Sequence, residues 1–301
     1  MRFVATLIGP GQGSLTETEL TAALRALSAL GADAGAPRWL AEGEAADLIF
    51  NDLDPDQADA AIRQALAGAP IDCITQQADS RRKKLLIADM ESTIIEQEML
   101  DEIADLRGIK AEIADITARA MNGEIDFVGA LNARVALLEG TPESAIEALL
   151  SRITFMSGAR ALVRTMRANG ARTLLVSGGF TLFADRVAAA LGFDFVSANV
   201  LEFAGPPGER VLTGKVVPPI RDRADKLEQL TTQSGRYRIP LTETIAVGDG
   251  ANDVPMLLAA GLGVAFHAKP AVKQAVRARV DHAGLAALLY SQGYRSDDII
   301  S

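Results

Sequence analysis

Four stretches of this chain are continuously apolar: KLLIAD at 84–89, TLLVSGGF at 173–180, the start of TIAVGDGAND at 244–253, and GLGVAF at 261–266. A strand without in/out alternation is buried on both faces, as in a parallel sheet covered by helices. Helical periodicity fills the stretches between these runs. That alternation predicts an α/β fold with a Rossmann-like parallel sheet. Ligands of such sheets bind beyond the carboxyl ends of the strands, so the residues that end each strand are the candidate site.

The first run ends in Asp89-Met90-Glu91-Ser92-Thr93, the second in Ser177-Gly178-Gly179, and the third in Gly248-Asp249-Gly250-Ala251-Asn252-Asp253. Acids, a hydroxyl and exposed backbone thus meet at one sheet edge. With one Cys and two His in the chain, a thiolate cluster or multi-His centre is excluded. A metal here would be held by oxygens, which suits Mg²⁺. Each piece also fits a plainer role. Thr93-x-x-Glu96 matches a capping box, Ser177-Gly-Gly a tight turn, and GDGAND a loop with an Asx cap. Their combination, in this order at successive strand ends, is far more specific than any one of them.

Residues 1–78 read as a separate unit in the order β-α-β-β-α-β, a ferredoxin/ACT-like sandwich with Thr16 as a helix N-cap. Cys73 reads as a small semi-buried side chain. The basic run QADSRRKK, 77–84, reads as a solvated linker. Residues 79–301 form the α/β core. A block at about 95–160 carries helical but no strand signal, and would lie over the first strand's end as a cap. A net charge of −9 argues against nucleic acid or an anionic membrane surface as partner, although local cations could still hold a small anion. No apolar run reaches the ~18 residues of a membrane span. MRFVATLIGPGQG reads as a first strand rather than a signal peptide, so the expectation is a cytoplasmic protein.

ADMEST, SGGF, Lys226 and GDGANDVPM together resemble the haloacid dehalogenase superfamily of phosphotransferases, and within it the bacterial phosphoserine phosphatases. The resemblance covers roughly residues 83–290. It implies Mg²⁺-dependent hydrolysis of O-phosphoserine through an aspartyl-phosphate, the last step of serine biosynthesis. Asp89 would be the nucleophile. Mg²⁺ would be held by Asp89, the main-chain carbonyl of Glu91 and Asp249, with Asp253 orienting its water ligands. Ser177 and Gly178 would donate to phosphate oxygens, and Lys226 would neutralise the transferring group. Glu98 would meet the substrate's amine and Arg134 its carboxylate, with Asn252 as a further contact. The family's N-terminal domains are often regulatory or dimerising, which implies a homodimer.

The family usually places Asp where this chain has Glu91. The carboxyl there protonates the leaving oxygen and then activates water. Glu keeps that chemistry with a similar intrinsic pKa, about one methylene further out. Two rival functions follow: a phosphatase of this fold acting on another small phosphomonoester, and a weakly catalytic regulator that binds serine.

Overall fold

The computed structural model describes residues 2–122 and 124–301. The first elements are β1 (Phe3–Ile8), α1 (Glu17–Ala29), β2 (Asp33–Ala34), β3 (Arg38–Ala41), β4 (Ala45–Asn51), α2 (Pro55–Ala65) and β5 (Asp72–Gln77). They form an antiparallel sheet in the order β2-β4-β1-β5, with β3 also paired to β4. Thr16 caps α1 as expected, in a reciprocal box with Glu19. Asp54 caps α2 by accepting the Asp56 and Gln57 N–H groups. Leu20, Ala23 and Leu27 of α1 and Ala58 and Ile62 of α2 share a core with alternate strand residues and with Cys73, which is buried. The opposite face, through Ile8, Ala45 and Ile74, packs into the core of the larger sheet.

That sheet is built from β6 (Leu85–Asp89), β7 (Arg172–Phe180), β8 (Phe195–Ala204), β9 (Val211–Val217), β10 (Thr244–Gly248), β11 (Leu262–Phe266) and β12 (Ala278–Val280). Its order is β12-β11-β10-β6-β7-β8-β9. Every neighbouring pair from β12 to β8 is parallel, and β9 turns back antiparallel to β8. The unalternating apolar run of β6 has a direct cause. Leu86 and Ala88 enter one core while Leu85 and Ile87 enter the other, and all four are fully buried. The first core is closed by α7 (Ala159–Ala168), α8 (Thr181–Leu191) and α12 (Ala287–Ser291), the second by α9 (Arg223–Tyr237), α10 (Val254–Ala259) and α11 (Pro270–Ala275). The β8–β9 hairpin and β12 carry no signal distinct enough to be read from the sequence.

Between β6 and α7 lie α3 (Met99–Arg107), α4 (Lys110–Met121), α5 (Phe127–Ala136), α6 (Glu143–Ala148) and a 3₁₀ turn at Leu149–Arg152. The chain leaves the sheet and returns to it through one narrow neck. Ile95 bridges Phe155, Glu96 N–H donates to Thr154 O, and Met156 N–H donates to Ile94 O. The Gln97 amide fastens the neck by donating to Arg152 O and accepting from Thr154 N–H. α3 begins at Met99 with Glu98 as its N-cap residue, so Thr93-x-x-Glu96 does not form a capping box.

The basic run at 77–84 is mostly exposed, as expected of a solvated segment, with Lys83 as its buried exception, and it is tied down at several points. Arg81 pairs with Asp47 at 2.8 Å, and Arg82 stacks 3.6 Å over the Tyr294 ring. Lys83 is buried and donates to Ser80 O and Thr242 O, while Lys84 pairs with Glu243. Asp72 of β5 adds a clamp by accepting the N–H groups of Asp281, His282 and Ala283.

Candidate active site

β6 and β10 are neighbours, so Asp89 at the end of one and Asp249 just past the end of the other face the same space. The GDGAND turn folds back on itself. Asp253 Oδ2 accepts the Gly250 N–H at 3.0 Å, and its Oδ1 accepts from Lys226 Nζ. Ligand oxygens of Asp89, Asp249 and Asp253 all lie within 4.8 Å of one another, and all three residues are buried. Lys226, in the first turn of α9, places Nζ 2.7 Å from Asp89 Oδ1 and 2.6 Å from Asp253 Oδ1. Asp222 caps that helix by accepting the Ala224 and Asp225 N–H groups, which fixes where its first turn starts.

Burial, reinforced by the Asp253 charge, pushes the Asp89 carboxyl well above its ordinary range, and Lys226 opposes the shift. Burial likewise raises Asp249, against the pull of Lys269. For Lys226, burial disfavours the ammonium, but Asp89 and Asp253 more than reverse this and hold its pKa above the usual value. Three close carboxylates thus share one buried cation. Lys269 stands 3.4 Å from Asp249 but is largely exposed. A surplus of hard oxygen donors in a small buried volume fits a divalent cation of the Mg²⁺ or Ca²⁺ type.

The Glu91 side chain stands outside this trio. Of the four residues expected around a metal, the side chains of Asp89, Asp249 and Asp253 come together, and the role expected for Glu91 involved only its carbonyl. Glu91 Oε1 accepts the Met99 N–H at 2.9 Å, at the first residue of α3. Its carboxyl also lies against Gly179, where a Cβ would stand 2.8 Å from Oε2. The carboxyl is therefore seated between the start of α3 and the bare backbone of the SGG turn. Burial, then the charge of Glu98, push the Glu91 carboxyl up to about 8. Next to it, Ser92 has φ +53°, a left-handed conformation that non-glycine residues rarely adopt, and its Oγ donates to Glu98 Oε1 at 2.8 Å.

Ser177 is buried, and its Oγ accepts the Gly179 N–H at 2.9 Å. The α3–α6 block covers this edge. A cleft of about 370 Å³ opens between block and sheet, and Asp89, Glu91, Glu98, Arg134, Gly178 and Asn252 all line it. Ser177, Lys226 and Asp253 are buried and do not line it. Arg134 projects from α5, its Nε held by Ala130 O at 3.2 Å, and burial lowers its pKa against the pull of Asp101 and Glu91. Phe127, at the start of α5, stands over Gly178 at the rim. Phe127, Lys269 and the buried Asn199 were not singled out from the sequence. Lys269 lies within GLGVAFHAKP, 261–270, and Phe127 within ARAMNGEIDF, 118–127, two stretches that also resemble the family, whereas Asn199 carries no local signal.

The profile of the haloacid dehalogenase-like hydrolases matches residues 86–258. A phosphoserine phosphatase of Idiomarina loihiensis is 51% identical over 189 residues, 63% of this chain and 84% of that protein. The crystal structure of a probable phosphoserine phosphatase of Vibrio cholerae, in unliganded form, superposes with a TM-score of 0.77 at 30% identity, covering 99% of this chain and 88% of that one. A structure described as a phospho-aspartyl intermediate analogue of phosphoserine phosphatase gives a TM-score of 0.63 at 35% identity, covering 69% of this chain and 98% of that one. The chain spans 53% and 60% of the length of two further curated relatives. It belongs to the haloacid dehalogenase-like hydrolases, in the branch that holds the phosphoserine phosphatases.

Proposed function

We propose that this chain is a Mg²⁺-dependent phosphatase that hydrolyses O-phosphoserine to serine and phosphate. The observation that carries this reading is the bridge from Lys226 to Asp89 and Asp253 beside Asp249, with a carboxyl held near pKa 8, Glu91, lining the same cleft. Mg²⁺, when bound by Asp89, Asp249 and the Glu91 carbonyl with Asp253 behind it, supplies the charge that lets a carboxylate approach a phosphate. Asp89 attacks phosphorus, the P–O bond to serine breaks, and an aspartyl-phosphate forms. Glu91, protonated near neutrality, gives its proton to the departing serine oxygen. The resulting Glu91 carboxylate then takes a proton from water, which attacks the aspartyl-phosphate, frees phosphate and restores Asp89.

Ser177 and Gly178 hold the phosphate oxygens, and Lys226 balances their charge. In the cleft, Glu98 takes the amine and Arg134 the carboxylate of the amino acid, with Asn252 alongside. This chemistry fits the final step of serine synthesis in the cytoplasm. We take residues 1–78 as a ferredoxin/ACT-like domain, 79–301 as the catalytic core with its helical cap, and the assembly as a homodimer. Phosphate release from O-phosphoserine with Mg²⁺, and its loss in EDTA, tests the reading. Release from aryl or sugar phosphates in preference to phosphoserine would overturn the substrate, and no release from any of them would overturn the enzyme.

A further inference from the structure

The SGG turn is bowed out of its sheet. β7 advances from Val176 to Phe180 while its partner β8 advances only from Ser197 to Asn199. Ser177 to Gly179 stand opposite Ala198 alone and leave the ladder as a bulge, and a partly buried carbonyl so displaced needs a new donor. Asn199, at 1% exposure, supplies it: Nδ2 donates to Gly178 O at 2.8 Å. The same amide also reaches the approach to α9. Nδ2 donates to Arg221 O at 3.1 Å, and Oδ1 accepts the Arg221 N–H at 2.7 Å. Arg221 adjoins Asp222, the cap of the helix that carries Lys226. Ser197, two residues back on β8, reinforces the join by donating to Asp225 Oδ2 at 2.9 Å.

We infer that Asn199 is a positioning residue for phosphoryl transfer. It sets the distance between the turn that holds the phosphate oxygens and the Lys226 ammonium that balances them. The inference rests on the function proposed above. A side-chain amide suits this work, because one end donates to Gly178 O and Arg221 O while the other accepts from Arg221 N–H. Donors fixed in advance around a developing charge act mainly in the transition state, and a misplacement of ~1 Å can lower the rate by ~10²-fold. A residue that merely satisfied buried backbone would lower stability and the folded fraction without changing the chemistry of the molecules that remain folded.

Two variants separate these roles. In Asn199→Asp the carboxylate still accepts from Arg221 but no longer donates to Gly178 O, and Asn199→Ala loses both links. On folded protein, both should lower kcat by about 10²-fold with KM for phosphoserine little changed. Inhibition by orthovanadate, which becomes a five-coordinate mimic of the transferring group when a nucleophile adds to it, should weaken in step with kcat, while inhibition by inorganic phosphate holds. Hydrogen exchange should show the Arg221 amide protected in wild type and in Asn199→Asp but released in Asn199→Ala. Turnover per folded molecule within a few-fold of wild type in both variants would overturn the inference, as would equal weakening of vanadate and phosphate. Should wild type release no phosphate from phosphoserine, the proposed function fails on its own. The exchange data then still decide the linkage, and unchanged Arg221 protection in Asn199→Ala would refute it.

Discussion

The Glu91 carboxyl rests on Gly179, so close that a Cβ on that glycine would stand 2.8 Å from Oε2 and 3.0 Å from Cδ. A methyl group placed there must push the carboxyl off its position. Gly179→Ala is therefore expected to lower kcat by about 10²-fold, the scale of a ~1 Å misplacement, with Mg²⁺ affinity unchanged. In a Glu91→Asp background the shorter side chain withdraws from Gly179, and the same substitution should do less harm. A double-mutant cycle on kcat measures the difference. Equal losses in both backgrounds would mean that the glycine serves only the turn.

The proton on Glu91 has a signature in stability. Burial and the Glu98 charge raise its carboxyl to about 8, so the metal-free folded protein holds the proton more tightly than the unfolded chain does. The stabilisation is complete below the ordinary carboxylate range and is lost as pH climbs through about 8. Glu91→Gln cannot ionise. Relative to wild type, its melting temperature in EDTA should rise steadily as pH climbs from the ordinary carboxylate range to about 8, with no such gain below that range. Glu98→Gln should move the wild-type transition to lower pH, because it removes the second cause of the shift.

Lys226 balances Asp89 and Asp253 in a fully buried setting. Removing one partner of a buried ion pair typically costs about 3–5 kcal/mol, since the other charges are left uncompensated. Lys226→Met should therefore lose activity and unfold earlier in EDTA. Its melting temperature should also rise more on adding Mg²⁺ than that of wild type, because the cation then takes over the missing positive charge. A Mg²⁺ response no larger than in wild type would show that the three acids do not share one charge site.

Arg134 and Glu98 both line the cleft. Arg134→Ala is expected to raise KM for phosphoserine far more than for an aryl phosphate, which has no carboxylate to meet. Equal losses on the two substrates would assign the side chain to the structure of α5.

The strand ends were legible because the apolar runs of β6, β7 and β10 stop abruptly at Asp89, Ser177 and Asp249, and parallel sheets bind ligands at that edge. Lys226 was legible only through the family resemblance, since nothing local distinguishes it from a surface helix lysine. Asn199 was hidden for the opposite reason. It sits inside a strand, and its partners, Gly178 and Arg221, are each more than twenty residues away in the chain. The anchors of the run at 81–84 were hidden in the same way, because Tyr294, Thr242 and Glu243, which hold Arg82, Lys83 and Lys84, are more than 150 residues distant. Thr93 and Glu96 have capping-box spacing, yet Ile94 and Ile95 N–H groups both return to Met90 O, so the chain makes a turn there and delays its helix to Met99.

The central claim is that Asp89 attacks phosphorus while Glu91 handles the protons. The most direct measurement is an acid quench of Glu91→Gln after mixing with Mg²⁺ and radiolabelled O-phosphoserine, followed by peptide mapping. An amide neither donates the proton efficiently nor activates water, so the covalent species should accumulate or turnover should stop, and any trapped label should lie on the peptide carrying Asp89. Asp89→Asn should trap none. Label on another residue, or wild-type turnover by Glu91→Gln, would contradict the account.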